Sequence, residues 1–254
     1  MVLVLILQVA FGLFSVPRER LSELQFTGIT VVHSYAFEHG EKTLEQCSEY
    51  LEVAQRYGLK VMVSIPSGLL IRQDRDSILM VIESLKNHPA LHSWYLVDDT
   101  NIKEIDPEFA EEMYREIKRI DPVHPICMTD ANIRGWVNPF KDYEFSGAVD
   151  VFMPDLYPIP NVAFWKLRVF YFLLRLWGQR FWAVIQTHNT GVYPQNPITG
   201  RLPSKEEMSE MAELALGEGS EMIWFYCGDD GYTNAFENGQ LQKMVAVIKS
   251  VNQP

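Results

Sequence analysis

Short apolar runs and longer amphipathic stretches alternate along the chain, with few residues left between them. Ile29–Tyr35, Leu59–Ile65, Leu91–Val97, Pro125–Met128, Val149–Met153, Phe181–Gln186 and Glu221–Tyr226 are rich in β-branched and aromatic residues, and each reads as a strand. Between them, apolar positions recur three and four residues apart, as at Leu44, Cys47, Leu51 and Ala54, or Phe109, Met113, Ile117 and Ile120. That spacing predicts helices with one apolar face. Start and stop signals agree: Pro17 opens a helix that Gly28 closes, and Ser204 with Glu207 forms a capping box ahead of Lys205–Leu216. Leu241–Val251 is the last helix.

Met1–Phe14 decides the count. It could pass for the apolar part of a signal peptide, but it has no positive leading region and no small-residue cleavage site, and it is too short to span a membrane. Its Val, Leu and Ile suit a buried parallel strand, and with it the strands number eight. Eight strands, each followed by a helical segment, predict a single (β/α)8 TIM barrel over residues 1–254. A doubly wound open sheet is the alternative, and its usual glycine-rich first turn is missing. Compartment stays open: extracellular or periplasmic if a leader has been trimmed, cytoplasmic otherwise.

Composition narrows the partners. A net charge of −11 repels nucleic-acid phosphates. The three cysteines, Cys47, Cys127 and Cys227, are far apart in apolar surroundings and read as buried thiols. No CxxC, HExxH or GxGxxG occurs, so no cofactor or metal is expected. Val162–Trp177 is apolar nearly all round, where an outer barrel helix should have a wet face. An oligomer contact, another domain or a membrane surface would explain it, with a protein contact preferred.

In a barrel the chemistry gathers where strands end. The polar and aromatic residues at those ends are His33, Tyr35, Ser64, Asp98, Asp99, Thr129, Asp130, Asp155, Tyr157, Gln186, His188, Tyr226 and Asp229. Carboxylates among aromatic rings suit a neutral polyhydroxylated ligand, since rings stack on sugar faces and acids accept from hydroxyls or protonate a glycosidic oxygen. The same acids would also serve as helix caps and turn residues. The Gly- and Pro-rich stretch His188–Pro203 is expected to cover the mouth.

The segment HPALHSWYLVDDT, His88–Thr100, resembles the HPAxxxWYLxDEP segment on strand four of barrel glycoside hydrolases, in the clan that includes families 5 and 42. Further matches follow in order: GLKVMVSIP (58–66), IDPVHPI (120–126), VDVFMPDLYPIP (149–160), VIQTHN (184–189) and the unit 204–226. The resemblance implies the barrel fold and a general acid/base at Asp99, where clan members have glutamate. It also implies a nucleophilic glutamate at the end of strand seven, and there the chain reads Gln186-Thr187-His188. A carboxamide cannot form the covalent glycosyl intermediate.

Three arrangements remain open. Asp98 or Asp99 pairs with Asp155, as barrel α-galactosidases pair aspartates on the same two strands; or Asp229 or Asp230 supplies the second acid; or the mouth binds sugar without cleaving it. In the first, Asp99 is the expected proton donor and Asp155 its partner. Gln186 and His188 are expected to bind hydroxyls, with Tyr35, Tyr157, Tyr226 and Asp229 lining the site. A metal-dependent lyase or isomerase using Asp98, Asp99, Asp155 and His188 is a further possibility.

Overall fold

The computed structural model describes residues 8–40, 43–98, 105–130, 147–193 and 199–253. Its eight parallel strands are β1 (Ala10–Leu13), β2 (Val31–Val32), β3 (Lys60–Ser64), β4 (Leu91–Val97), β5 (Ile126–Asp130), β6 (Val151–Pro154), β7 (Ala183–Gln186) and β8 (Met222–Tyr226). They pair in the order β6-β5-β4-β3-β2-β1-β8-β7. A parallel bridge between Phe152 and Phe181 joins the two ends, so the sheet closes into a (β/α)8 barrel.

Helices α1 (Tyr35–Glu38), α2 (Leu44–Arg56), α3 (Ser67–Ile71), α4 (Arg75–Leu85), α5 (Pro107–Ile120), α6 (Phe164–Leu176), α7 (Lys205–Gly217) and α8 (Gln240–Val251) fill the connections. Local chemistry sets their starts. Thr43 and Ser204 each accept from a backbone N–H three residues on, and the facing Gln46 and Glu207 side chains complete two capping boxes. Asp106 caps α5 with Pro107 in its first turn.

Alternation along each strand divides the core in two. Inward-facing Phe14, Met62, Tyr95, Cys127, Val151, Met153, Val184 and Trp224 fill the barrel. Outward-facing residues such as Val63, Leu96, Ile126 and Phe225 meet Leu51, Ile82, Met113, Leu167 and Met211 from the helices. Gly12 makes room for the Trp224 indole: a Cβ there would stand 2.3 Å from a ring carbon. All three cysteines are free and buried, and burial pushes the Cys47 thiol up to about 12.

Several boundaries differ from the sequence expectation. Pro17–Phe26 forms a 3-10 helix over Arg18–Leu24, and the predicted strand Ile29–Tyr35 pairs only at Val31–Val32. Beyond Val32 the chain turns polar, and Ser34 precedes the short α1 at the barrel mouth. Residues 131–146, between β5 and β6, lie outside the described residues, as do residues 1–7 of the N-terminal apolar run.

Candidate functional site

The C-terminal ends of the strands form an aromatic and acidic mouth. Phe14 is its floor: the ring lies 5.0 Å from His33, 5.9 Å from Tyr95, 4.9 Å from Trp224 and 6.0 Å from Tyr226, centroid to centroid. Tyr35 packs edge-on against His33 and Tyr226, and Tyr157 packs against Tyr226 and His188. Six of the eight strands, β1, β2, β4, β6, β7 and β8, thus bring their rings into one continuous layer. His33 Nε2 and Ser64 Oγ share a hydrogen bond of 2.7 Å beneath it.

Asp98 enters this layer because β4 breaks its own alternation. Tyr95 faces inward, and the register against β5 then shifts between Tyr95 and Val97. Leu96 and Val97 both face the outer core, which leaves Asp98 on the inner side. There its Oδ1 accepts from the Tyr95 phenol at 2.5 Å and from Thr129 Oγ at 2.8 Å, and the two hydroxyls also touch each other. Strict alternation from Tyr95 would have assigned this place to Asp99. Asp99 itself lies outside the described residues.

Burial, with the Asp98 charge as a further cause, holds the phenols of Tyr35 and Tyr95 well above their ordinary range. Tyr226 is raised by burial together with Cys227, Asp230 and Asp98. These phenols therefore stay protonated at neutral pH, and those of Tyr95 and Tyr226 donate to Asp98 and Asp230.

Asp155 follows the inward residues Val151 and Met153, and its Oδ2 accepts from the Tyr157 phenol at 3.4 Å. Gln186 also faces inward, at the end of β7, but its amide is turned to the protein. Oε1 accepts from Ile159 N at 2.8 Å, and Nε2 donates to the carbonyls of Ile159 and His188 at 3.1 and 3.0 Å. With 0% exposure it ties the β6–α6 loop to the β7 exit. His188 Nδ1–H donates to Tyr226 O at 3.2 Å, and burial lowers its imidazole to about 4, so the ring is neutral.

Asp229 stands apart from this layer. Its carboxylate accepts from Gly231 N and Asn234 Nδ2, and its backbone bonds to Ser15 fix the β8 exit against the β1 exit. Ser15 is held there with φ of 55°, in the left-handed region. Beside that junction lies a cavity of about 290 Å³ lined by Arg18, Ser34, Tyr35, Gln46 and Asp229 among others, so Tyr35 faces both spaces.

Two contributors to the mouth, Tyr193 and Glu38, were not read from the sequence, and Asp230, a candidate second acid there, joins them. Tyr193, from the stretch expected to cover the mouth, donates to Asp230 Oδ2 at 2.7 Å and packs 5.4 Å from His188. Asp230 in turn accepts from Tyr226 at 3.4 Å and from the backbone at Tyr232 and Thr233. Glu38, on α1, is buried at 2% exposure, and its charge reaches Tyr95. No periodicity marks these residues, because they meet across loops. Residues 194–198 of the covering stretch lie outside the description. Among the described residues no cluster of His, Cys, Asp and Glu could hold a metal ion.

No family model matches the chain, and neither does any curated protein. Solved structures do match in fold. A GH99 endo-alpha-mannosidase from Bacteroides thetaiotaomicron superposes with a TM-score of 0.67 at 13% identity, over 92% of this chain and 83% of that one. A GH128 endo-beta-1,3-glucanase from Amycolatopsis mediterranei, solved with laminarihexaose, gives 0.61 at 14% identity over 94% and 99%. Beta-methylaspartase from Clostridium tetanomorphum also gives 0.61, at 10% identity over 97% and 58%. The chain thus has a barrel fold like that of glycoside hydrolases, and the third match shows that the same fold carries other chemistry.

Proposed function

We propose that the protein is a glycoside hydrolase acting on a neutral carbohydrate, with carboxylates at the ends of β4 and β6 as its acid and base. The observation that carries this reading is Asp98, brought inward by the break in β4 and held by two hydroxyls within a layer of tyrosine rings. Tyr35, Tyr157 and Tyr226 would stack on sugar faces, and the oxygens of their phenols would accept from sugar hydroxyls. Asp155 is the partner acid, as base on a water or as nucleophile, and Asp99 remains the proton donor that the strand-four resemblance implies. A carboxyl separation of about 5–5.5 Å would mean retention and about 6.5–9.5 Å inversion. An acidic mouth on a chain of net charge −11 would repel anionic sugars.

A panel of nitrophenyl hexosides with soluble mannan and β-1,3-glucan tests the reading. Turnover of one substrate, reduced roughly 10²–10⁴-fold in Asp98→Asn, Asp99→Asn or Asp155→Asn, is the expected result. Turnover that none of the three substitutions changes overturns it.

A second reading has its own support in the Gln186 amide, whose hydrogen bonds all go to backbone groups where the clan resemblance implies a nucleophile. In that reading the barrel binds carbohydrate without cleaving it. Binding of an oligosaccharide without turnover, unchanged by Asp99→Asn, would favour it.

A further inference from the structure

Helix α6 carries the most conspicuous surface on the molecule. Eleven large apolar residues are exposed among the described residues, and five of them, Trp165, Val169, Phe172, Leu176 and Trp177, belong to this helix or the residue that caps it. Leu167, Tyr171 and Leu174 already anchor the opposite face to the core, so the outer residues are not needed for packing. Trp165 and Leu176 are 64% and 66% exposed. Along the helix Trp165, Val169, Phe172 and Leu176 follow one another at steps of four, three and four, which lines them up in one narrow stripe.

The rim of that stripe is basic. Lys166 flanks one side, with its ammonium over the Trp165 ring, and Arg168 and Arg175 flank the other, Arg175 over Phe172. No acid occurs from residue 162 to residue 180, where Lys166, Arg168, Arg175 and Arg180 do, although the chain as a whole carries −11. From the neighbouring segment Glu218 faces both Arg168 and Arg175, and Glu221 faces Arg180. Four cations against two facing acids leave the face net positive.

This charge pattern argues against a second copy of the chain. Pairing the stripe with itself, parallel or antiparallel, would set cations against cations, because the helix offers no acid to either flank. The stripe is also small for a dimer: a helix of 13 residues is about 20 Å long, and a stable interface needs roughly 800 Å² from each partner. A surface that is apolar within, anionic at its edge and indifferent to shape fits better. Tryptophans at both ends of the helix suit the boundary between headgroups and acyl chains.

We propose that α6 docks the barrel on the surface of an anionic lipid bilayer, with the Trp165–Leu176 stripe at the acyl boundary and the basic rim among the headgroups. No helix among the described residues is long and apolar enough to cross a membrane, so the contact is peripheral. The negative remainder of the molecule faces away, beyond a screening length of about 8–10 Å at physiological salt.

Vesicle flotation tests this with the full chain. The probes are phosphatidylcholine vesicles with and without about a third of phosphatidylserine. The expected result is flotation on the mixed vesicles alone, weakened by salt, and reduced roughly tenfold or more in Phe172→Glu/Leu176→Glu and in Lys166→Glu. Unchanged circular dichroism and melting show that the variants fold, since all three positions are exposed. No flotation on anionic vesicles overturns the proposal, and so does flotation that the variants leave intact. A concentration-dependent dimer in sedimentation, broken by Phe172→Glu/Leu176→Glu, would replace the bilayer with a second copy.

Discussion

Tyr95 and Asp98, three residues apart, meet inside the barrel because the register shift in β4 intervenes between them. Had the strand kept its alternation, Val97 would line the mouth and Asp98 would face the helices. The phenol orients the carboxylate and satisfies a half-buried acceptor, so Tyr95→Phe tests the pair. Removing one donor to a charged group should cost about 1.5–3 kcal/mol, seen as a lower urea midpoint at unchanged slope. Asp98→Asn in the Tyr95→Phe background should cost less than Asp98→Asn alone, with a coupling of about 0.5–3 kcal/mol. Strictly additive losses would mean that the bond contributes nothing. Where turnover is found, Tyr95→Phe should lower kcat more than it changes KM, because the substrate-facing rings remain in place.

Gln186 stands at the strand-seven exit where the resemblance implies a glutamate, which makes Gln186→Glu an attractive gain-of-function test. We expect it to fail for a structural reason. The amide Nε2 donates to two carbonyls, and a carboxylate oxygen in that place would face both as an acceptor while losing its hydration. The variant should lose about 2–4 kcal/mol and melt about 4–16 °C lower, without gaining hydrolysis. A variant as stable as the parent, or a newly active one, would show that the β6–α6 loop can release the amide.

The barrel itself was legible because its signals are redundant. Leu91–Val97 was read at its true boundaries, being a strand-forming run between His88-Pro89 and an acid pair, and the capping boxes at Thr43 and Ser204 marked two helix starts. The inner shell follows from a period of two. The mouth was less legible. A register shift leaves no mark in the residue pattern, so nothing in VDD says which aspartate turns inward. Gln186 and His188 read as ligand-binding groups from their place at a strand end, yet the hydrogen bonds that turn both toward the protein come from Ile159 and Tyr226, far away in sequence. Tyr193 and Glu38 join the mouth from a loop and a single helical turn, where no periodicity exists to read. The 3-10 helix at Arg18–Leu24 kept its buried Leu21 and Leu24 but not α-helical winding.

Gly12 offers a test of how the barrel is filled. The Trp224 indole lies across it with no room for a methyl group, in an interior where backbone on both flanks is paired. Overpacking of this kind usually costs about 1–3 kcal/mol, and here the obstacle is a fused ring rather than a flexible chain end. Gly12→Ala should therefore reach the upper end of that range. Trp224→Leu alone leaves a cavity and should also destabilise. Together the two changes should cost less than the sum of the single losses, because each relieves the other. Chemical denaturation of the four proteins decides it, and additivity would place the indole elsewhere.

His188 gives the fold a pH dependence of definite sign. Its imidazole lies against Tyr157, Tyr193 and Tyr226, donates to Tyr226 O, and feels one nearby charge, that of Asp230. Burial outweighs that acid and lowers the group from 6.5 to about 4. Above pH 6.5 the ring is neutral whether the chain is folded or not, and its contribution to stability is complete. As pH falls toward 4, the unfolded chain takes up a proton that the folded chain refuses, and stability is lost. The full gap corresponds to about 3 kcal/mol. His188→Gln keeps a donor for Tyr226 O and removes the titration, so stability measured from pH 7 to pH 4 should fall less steeply in the variant. His92, also lowered to about 4 by burial, keeps part of the slope. Identical slopes in both proteins would mean that His188 is protonated, or solvated, in the folded state.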